Sequence, residues 1–503
     1  RLTNSLFPTL ALAGAGLLVA QQDTGMITGQ VSDSTGASVP SATVTLVNTG
    51  TGAKLSVTTS SDGLYVATPL RIGTYSISVE ARGFKKTVRE NVALRVQDRL
   101  RIDFPLEVGQ LSESVDVTAE APLLQSETSS LGQVIASKPV SELPLNGRNY
   151  MDLTLLQPGI VRNTRLIPNS TSTIGVYFSS NGAPVRSNNY MLDGALLTNQ
   201  TGATAASADG STLGISAIRE YKVVASNVSA EYGLTMGGQI TMVSKSGTND
   251  LHGSIFEYMR NSALDARNFF AARKAPVRLN QFGGTLGGPI QKDKTHFFAT
   301  WERTIQLTSE TLAATVPTLA NRRGDFSDLR SASGSTVAIY DPATTSGTQR
   351  SPFVGNLIPV TRFDPVAVAA LGYYPVPNRA GTSTNGNNFA GNSAARLNRD
   401  IVMGRLDHQF TPNDMVTARY YINDSSTSDT GTYGIPVSDP TSNITDVRVQ
   451  SVLASYTHIF GPALINDLKF SYLQRKFINT RPRSEEHTSE LQSRQYLVCR
   501  LLL

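Results

Sequence analysis

Three groups of residues have the types and spacing to do chemistry. His487 and Glu490 form an H-x-x-E pair, a spacing that sets two zinc ligands on one helical face, but a catalytic zinc needs a third protein ligand. Such pairs arise often by chance, and no His, Glu and His constellation stands elsewhere in the chain, so the pair is assigned no function. Gly233, Gly237 and Gly238 cluster as in a phosphate loop, yet no Gly-Lys-Ser/Thr follows a strand, and nucleotide chemistry is set aside. Cys499 is the sole cysteine, which removes both a disulfide framework and a Cys-based zinc site. The formal charge of +5 over 503 residues is too small for a nucleic-acid binder, and no block of five or six like charges appears. No catalytic residue, cofactor or metal is expected, and the chain reads as a non-enzyme.

The elements that would position binding residues are strands. The chain holds 41 Gly, 17 Tyr and 18 Phe with only 17% charged residues, a strand-friendly and turn-rich balance. It begins with Arg1 rather than Met, and Leu6 to Ala20 is a short apolar run ending in small residues. A spanning helix needs about 20 apolar residues, so residues 1–22 read as a secretory signal peptide cleaved near Ala20. No later stretch reaches spanning length as a helix. Any membrane passage must therefore use a barrel, because only helices and closed barrels satisfy their backbone polar groups in lipid.

Residues 23–108 alternate in short runs separated by turns. Val44 and Leu46 alternate with Thr43 and Thr45, and Tyr75, Ile77 and Val79 with Ser76 and Ser78. Turns fall at Thr35-Gly36, Asp62-Gly63 and Ile72-Gly73, where glycine tolerates positive φ. The pieces SVPSATV, SDGLY and GTYSISVEARGF resemble the carboxypeptidase regulatory-like domain, a transthyretin-like or Ig-like β-sandwich classed with carbohydrate-binding-like folds. That domain is not the catalytic one of its family. No exposed aromatic platform can be read here, so a periplasmic spacer or interaction module is the favoured role and carbohydrate binding rests on analogy alone.

Residues 109–125 form a linker. Within it Ser114, Val115, Asp116, Val117, Thr118 and Ala119 alternate as a short β-prone segment, of the kind a partner adds as an edge strand through main-chain hydrogen bonds. The same residues also fit as the last strand of the sandwich, and both readings stay open on the sequence.

Residues 126–249 carry the most specific resemblance, to the plug domain of TonB-dependent receptors. Leu143, Pro144, Asn146, Gly147, Arg148 and Asn149 match the family's L-P-x-x-G-R-N segment, with Tyr150 and Leu153 following. Asn189, Tyr190, Leu192, Asp193 and Gly194 match N-x-Y-x-L-D-G. Ile218, Glu220, Tyr221 and Val223 match the next strand, and Glu231, Tyr232, Gly233, Gly237, Gly238 and Ile240 match the run leading into the barrel. The resemblance implies an α+β plug and makes Ser114 to Ala119 the candidate TonB box.

In residues 250–482 the strands lengthen and take a dyad pattern with aromatic residues near their ends. Phe297, Ala299 and Trp301 alternate with His296, Phe298, Thr300 and Glu302. Val402, Leu406 and Phe410 oppose Arg405, Asp407 and Gln409, and Val416, Ala418, Tyr420 and Ile422 oppose Thr417 and Arg419. A soluble sandwich would alternate too; the signal peptide, the plug motifs and the FGGTLGGPI segment at Phe282 to Ile290, which resembles the Oar-like barrel start, decide for a transmembrane β-barrel. Pattern gives about seven strands at about 9 to 11 residues each, with long polar loops around residues 310 to 395. Residues 483–503 break the pattern, and RSEEHTSELQS resembles the translation of a sequencing-library adapter, so this tail reads as foreign.

The resemblance implies a mainly β, Oar-like TonB-dependent transporter fragment in the outer membrane, with its sandwich and plug on the periplasmic side. Its partners would be TonB with ExbB and ExbD, outer-membrane lipid, and a siderophore, glycan or peptide ligand. An outer-membrane adhesion or protein-anchoring role on the same scaffold is the alternative. Seven strands are roughly a third of the 22 with which such transporters close, and lipid does not tolerate an open edge. Residues 21–482 expressed alone are therefore expected not to insert; a heat-resistant, membrane-embedded monomer would show otherwise.

Overall fold

The computed structural model describes residues 24–480 except 110–113, 118–130, 137–142, 144, 146–147, 163–177, 186, 198–212, 229–235, 268–273, 275, 332, 382–385, 434–441 and 462–463. The signal-peptide segment, the tail from Arg483, and Thr118, Ala119, Pro144, Asn146, Gly147, Glu231, Tyr232 and Gly233 lie outside the described residues.

The alternating runs at the start form eight strands: β1 (Gly25–Asp33), β2 (Thr43–Asn48), β3 (Lys54–Thr58), β4 (Leu64–Leu70), β5 (Gly73–Glu80), β6 (Lys86–Leu94), β7 (Arg99–Arg101) and β8 (Phe104–Leu106). One sheet is ordered β4-β1-β7, with β8 also on β1, and the facing sheet runs β3-β2-β5-β6. Inward residues of both sheets, including Ile27, Val31, Val44, Leu46, Ile77, Val79 and Phe104, make one buried core. Tyr65 puts its ring in that core and satisfies its polar tip by donating to the Ile102 carbonyl at 2.8 Å. The Asp62-Gly63 turn uses the left-handed region, with Gly63 at φ +69° and the Val31 carbonyl 2.5 Å from where a Cβ would sit.

Beyond the sandwich, β9 (Ser114–Val117) pairs in parallel with β6, from Lys86 opposite Ser114 to Arg89 opposite Val117. The candidate coupling strand thus takes the outer position of the sandwich sheet, the second of its two sequence readings.

The next unit holds β10 (Leu131–Ala136), β11 (Ile160–Arg162), β12 (Phe178–Ser180), β13 (Asn189–Leu192), β14 (Ala195–Leu196), β15 (Ile218–Ser226) and β16 (Gln239–Ser244). Its main sheet is ordered β10-β15-β16-β13-β14, and β11 and β12 pair separately. Tyr221, Val223, Ile240 and Met242 point from this sheet into a core with Tyr150, Met151 and Leu153. Those last three belong to the 3-10 turn Tyr150–Leu156. The helical part of this domain, among the described residues, is 3-10 rather than α.

The final seven strands, β17 (His252–Asn261), β18 (Val277–Gln291), β19 (Thr295–Ala314), β20 (Phe389–Thr411), β21 (Asp414–Asp429), β22 (Asn443–Gly461) and β23 (Leu464–Thr480), form one antiparallel sheet in sequence order. Seven is the number the dyad pattern suggests. Several are longer than a bilayer needs: β19 has 20 residues and β20 has 23, about twice the spanning length, so the ladder continues past the hydrocarbon zone. Trp301, Val402, Leu406, Phe410, Tyr420, Val452, Tyr456, Phe460, Leu468, Phe470 and Tyr472 are exposed on one face. Thr300, Glu302, Met403, Asp407, Arg419, Tyr421 and Ser451 are buried on the other, against the preceding domain. Phe298, Met403, Tyr421, Val447 and Val449 join that domain's hydrophobic core, so this unit, the expected plug, lies against the inner face of the barrel sheet.

Between β19 and β20 a long connection is ordered by side-chain caps. Asp364 caps the helix Pro365–Leu371 by accepting from Val366 and Ala367, and Arg322 donates to the carbonyls of Leu371, Tyr374 and Pro375.

Because Ile77 is fully buried at the centre of the sandwich, Ile77→Ala should destabilise that domain by about 2–5 kcal/mol, read as a lower denaturant midpoint with unchanged slope.

Candidate functional site

The plug meets the barrel through one carboxylate. Asp193 and Gly194 form the tight turn between β13 and β14, at φ +50° and +76°, which sets the Asp193 carboxylate at the edge of the plug sheet beside the end of β16. Within the plug it accepts from the Ser244 backbone N–H and hydroxyl, each at 2.8 Å. From the barrel it receives Arg419, with no exposed side-chain surface, and Arg405 Nη1 at 3.3 Å.

The barrel register explains why an anion belongs there. Arg405 on β20 and Arg419 on β21 are directly opposite one another, and like charges in that position repel. Asp193 lies between the two guanidinium groups. One step along, Asp407 faces Thr417, accepts its hydroxyl at 2.9 Å, and takes Arg405 in a bidentate pair at 3.0 and 3.1 Å. Arg419 also donates to the Ser451 hydroxyl on β22 at 3.2 Å. Three barrel strands and the plug therefore share one buried charged network.

A second clamp uses Arg148. Its guanidinium stacks 4.2 Å from the Phe256 ring and 4.3 Å from the Tyr258 ring on β17, and donates to the Ser216 hydroxyl at 3.0 Å. Asn149 caps the following 3-10 turn by accepting from Met151 N at 3.2 Å, and Tyr221 donates to the Tyr150 carbonyl at 2.8 Å. Leu143 is exposed. Asn189 donates to Gln239 at 3.0 Å, joining the parallel strands β13 and β16. Tyr190 and Leu192 are buried in the plug core. Gly237 leaves room for Asn188, whose Oδ1 would stand 2.6 Å from a Cβ there, and Asn188 in turn accepts from Gly238 N at 2.9 Å.

Of the residues singled out from sequence, the structure joins Asp193 to the barrel at one point and Arg148 at another, while Asn189, Gly237 and Gly238 serve the plug's internal sheet. Arg405, Asp407 and Arg419 were visible only as the polar phase of alternating strands. A charged residue in the inner phase of a barrel strand is itself a signal, since the field of the wall must be answered by whatever fills it. Among the described residues no group of three or more His, Cys, Asp or Glu could hold a metal.

An antiparallel sheet with an apolar outer face and a mixed inner face, tied to the preceding domain by buried ion pairs, is the arrangement of an outer-membrane β-barrel wall. The chain belongs to the outer membrane beta barrel domain family, which matches residues 243–496, and the carboxypeptidase regulatory-like domain matches residues 26–107. The protein resides in the outer membrane. The chain is 27% identical over 259 residues to the TonB-dependent transporter Oar of Myxococcus xanthus, covering 48% of this chain and 23% of that protein. It thus spans about a quarter of that relative's length. Among solved structures it is similar to the outer membrane transporter YddB from Escherichia coli (13% identity, 68% of this chain and 39% of that chain, TM-score 0.40). Another is the siderophore receptor PirA from Acinetobacter baumannii (15% identity, 69% and 44%, TM-score 0.35).

Asp193→Ala would leave Arg405 and Arg419 facing one another without their shared anion. The expected cost is about 3–5 kcal/mol, seen as faster trypsin cleavage within residues 126–249 in outer-membrane preparations of the full-length receptor, with Asp193→Asn intermediate.

Proposed function

We propose that this chain is the gating portion of a TonB-dependent importer, with no chemistry of its own. The observation that carries the reading is the plug held against the inner barrel face by a compact charged network around Asp193. Such a network resists spontaneous opening yet can be displaced as a unit by force, because its members are ion pairs and hydrogen bonds that water replaces once the domain moves. The similarity to the Myxococcus xanthus transporter supports the same reading.

In this scheme the ligand, a siderophore, glycan fragment or peptide, binds at the outer side of plug and barrel loops. TonB, energised by ExbB and ExbD, captures the segment Ser114 to Ala119 as an added strand and pulls. The parallel pairing of β9 with β6 supports the segment's readiness to lie along an exposed strand edge, and TonB would compete for it.

A peptide spanning Gln110 to Leu124 is expected to be retained by an immobilised TonB C-terminal domain. Val115→Pro should abolish retention by removing a main-chain donor. Equal retention of both peptides, or of neither, would count against this segment as the coupling strand.

A further inference from the structure

The sandwich is seated on the plug and the barrel at once. Ile72 and Val96, from its β4–β5 and β6–β7 connections, pack on Val243 of β16 in a small buried cluster, where Val96 has no exposed surface. Around this cluster the Val96 backbone N–H donates to the Glu220 carboxylate, Gln97 donates to the Thr241 hydroxyl at 3.1 Å, and Lys222 donates to the Gln97 carbonyl at 3.3 Å. Burial pushes the Glu220 carboxyl above its ordinary range, and the Val96 N–H pulls it back. At the rim Asn249 N donates to the Gly50 carbonyl at 2.8 Å.

Further contacts reach the barrel wall, where Ile459 of β22 packs against the sandwich core. Arg71 pairs with Asp407 at 2.8 Å, where only 4% of the aspartate side chain is exposed, and also donates to Thr417. Asp407 is the same carboxylate that holds Arg405, and Arg405 holds Asp193. The sandwich is therefore bound into the network that retains the plug.

The plug face it covers is not built to be dry by itself. Glu220, Lys222 and Thr241 are charged or polar and buried, and an unpaired buried charge is costly. Uncovered, this face would hydrate readily.

We propose that the N-terminal sandwich is a periplasmic lid latched over the plug, with Arg71 on Asp407 as its bolt, and that the lid leaves before the plug opens. The proposal rests on the importer reading. It gives the parallel β6–β9 pairing a role, since tension on β9 acts first on the sandwich to which it is hydrogen-bonded.

The test uses full-length receptor in cells, with V96C as the only free thiol and a small maleimide as the probe. In cells lacking TonB, R71E should raise the labelling rate at least tenfold over the V96C parent, while R71K keeps the parent's protection. A staple of G50C with T248C joins the two domains where they are in contact, since a Cβ on Gly50 would lie 3.6 Å from Thr248 Cγ2. Oxidised, that staple should suppress labelling in every background. Labelling by R71E no faster than the parent overturns the latch, and TonB-driven labelling that persists in the oxidised staple overturns the order of opening. If R71E and the staple behave as expected but energised TonB never accelerates labelling of the parent, the latch stands and the importer reading fails.

Discussion

Two arginines directly across from one another on neighbouring strands are a problem that the rest of this structure solves. Arg405 and Arg419 share one register position on the inner face of the barrel sheet, buried where water cannot screen them well. A barrel wall carrying that pair needs an anion at that spot. Asp193 supplies it from a turn whose two residues both take positive φ, so the exactness of the plug's seat comes from a backbone conformation as much as from charge. The Ser244 contacts hold the carboxylate in place from within the plug, and a carboxylate fixed in advance gives up little freedom on meeting its partners.

The two faces of the barrel sheet follow from different solvents. Outward residues such as Trp301, Phe410 and Tyr456 are apolar or aromatic because they face lipid. Inward residues mix Thr, Ser and charges with Met403, Tyr421, Val447 and Val449, because their solvent is another folded domain. An inner wall that were wholly apolar would weld plug to barrel. A wall that were wholly polar would leave the plug's core residues unmatched.

The sandwich extends this arrangement toward the periplasm. Its polar contacts fall on the connections that carry Gly50, Arg71, Val96 and Gln97, with Ile72 and Val96 packed on Val243 and Ile459 of β22 packed at the edge of its core. A domain whose stability is internal and whose docking uses loop residues can come away whole, which suits a lid better than a structural buttress. The charged face it covers supplies a reason for the separation to be reversible.

The architecture was legible in the sequence because period-two alternation depends only on which face is wet. Val402, Leu406 and Phe410 against Arg405, Asp407 and Gln409 fell on opposite faces as their pattern requires, and the glycine turn at Gly63 declared itself by residue type. The plug's motif residues could be found by resemblance, but what Asp193 and Arg148 touch could not, since their partners lie far along the chain on strands whose register is settled only when the sheet assembles. The placement of Ser114 to Val117 on β6, the sharing of Asp407 between Arg405 and Arg71, and the seating of the sandwich belong to tertiary structure alone. Alternation is a local consequence of burial, whereas the pairing of charges across hundreds of residues is decided by the strand register and the domain packing that bring them together.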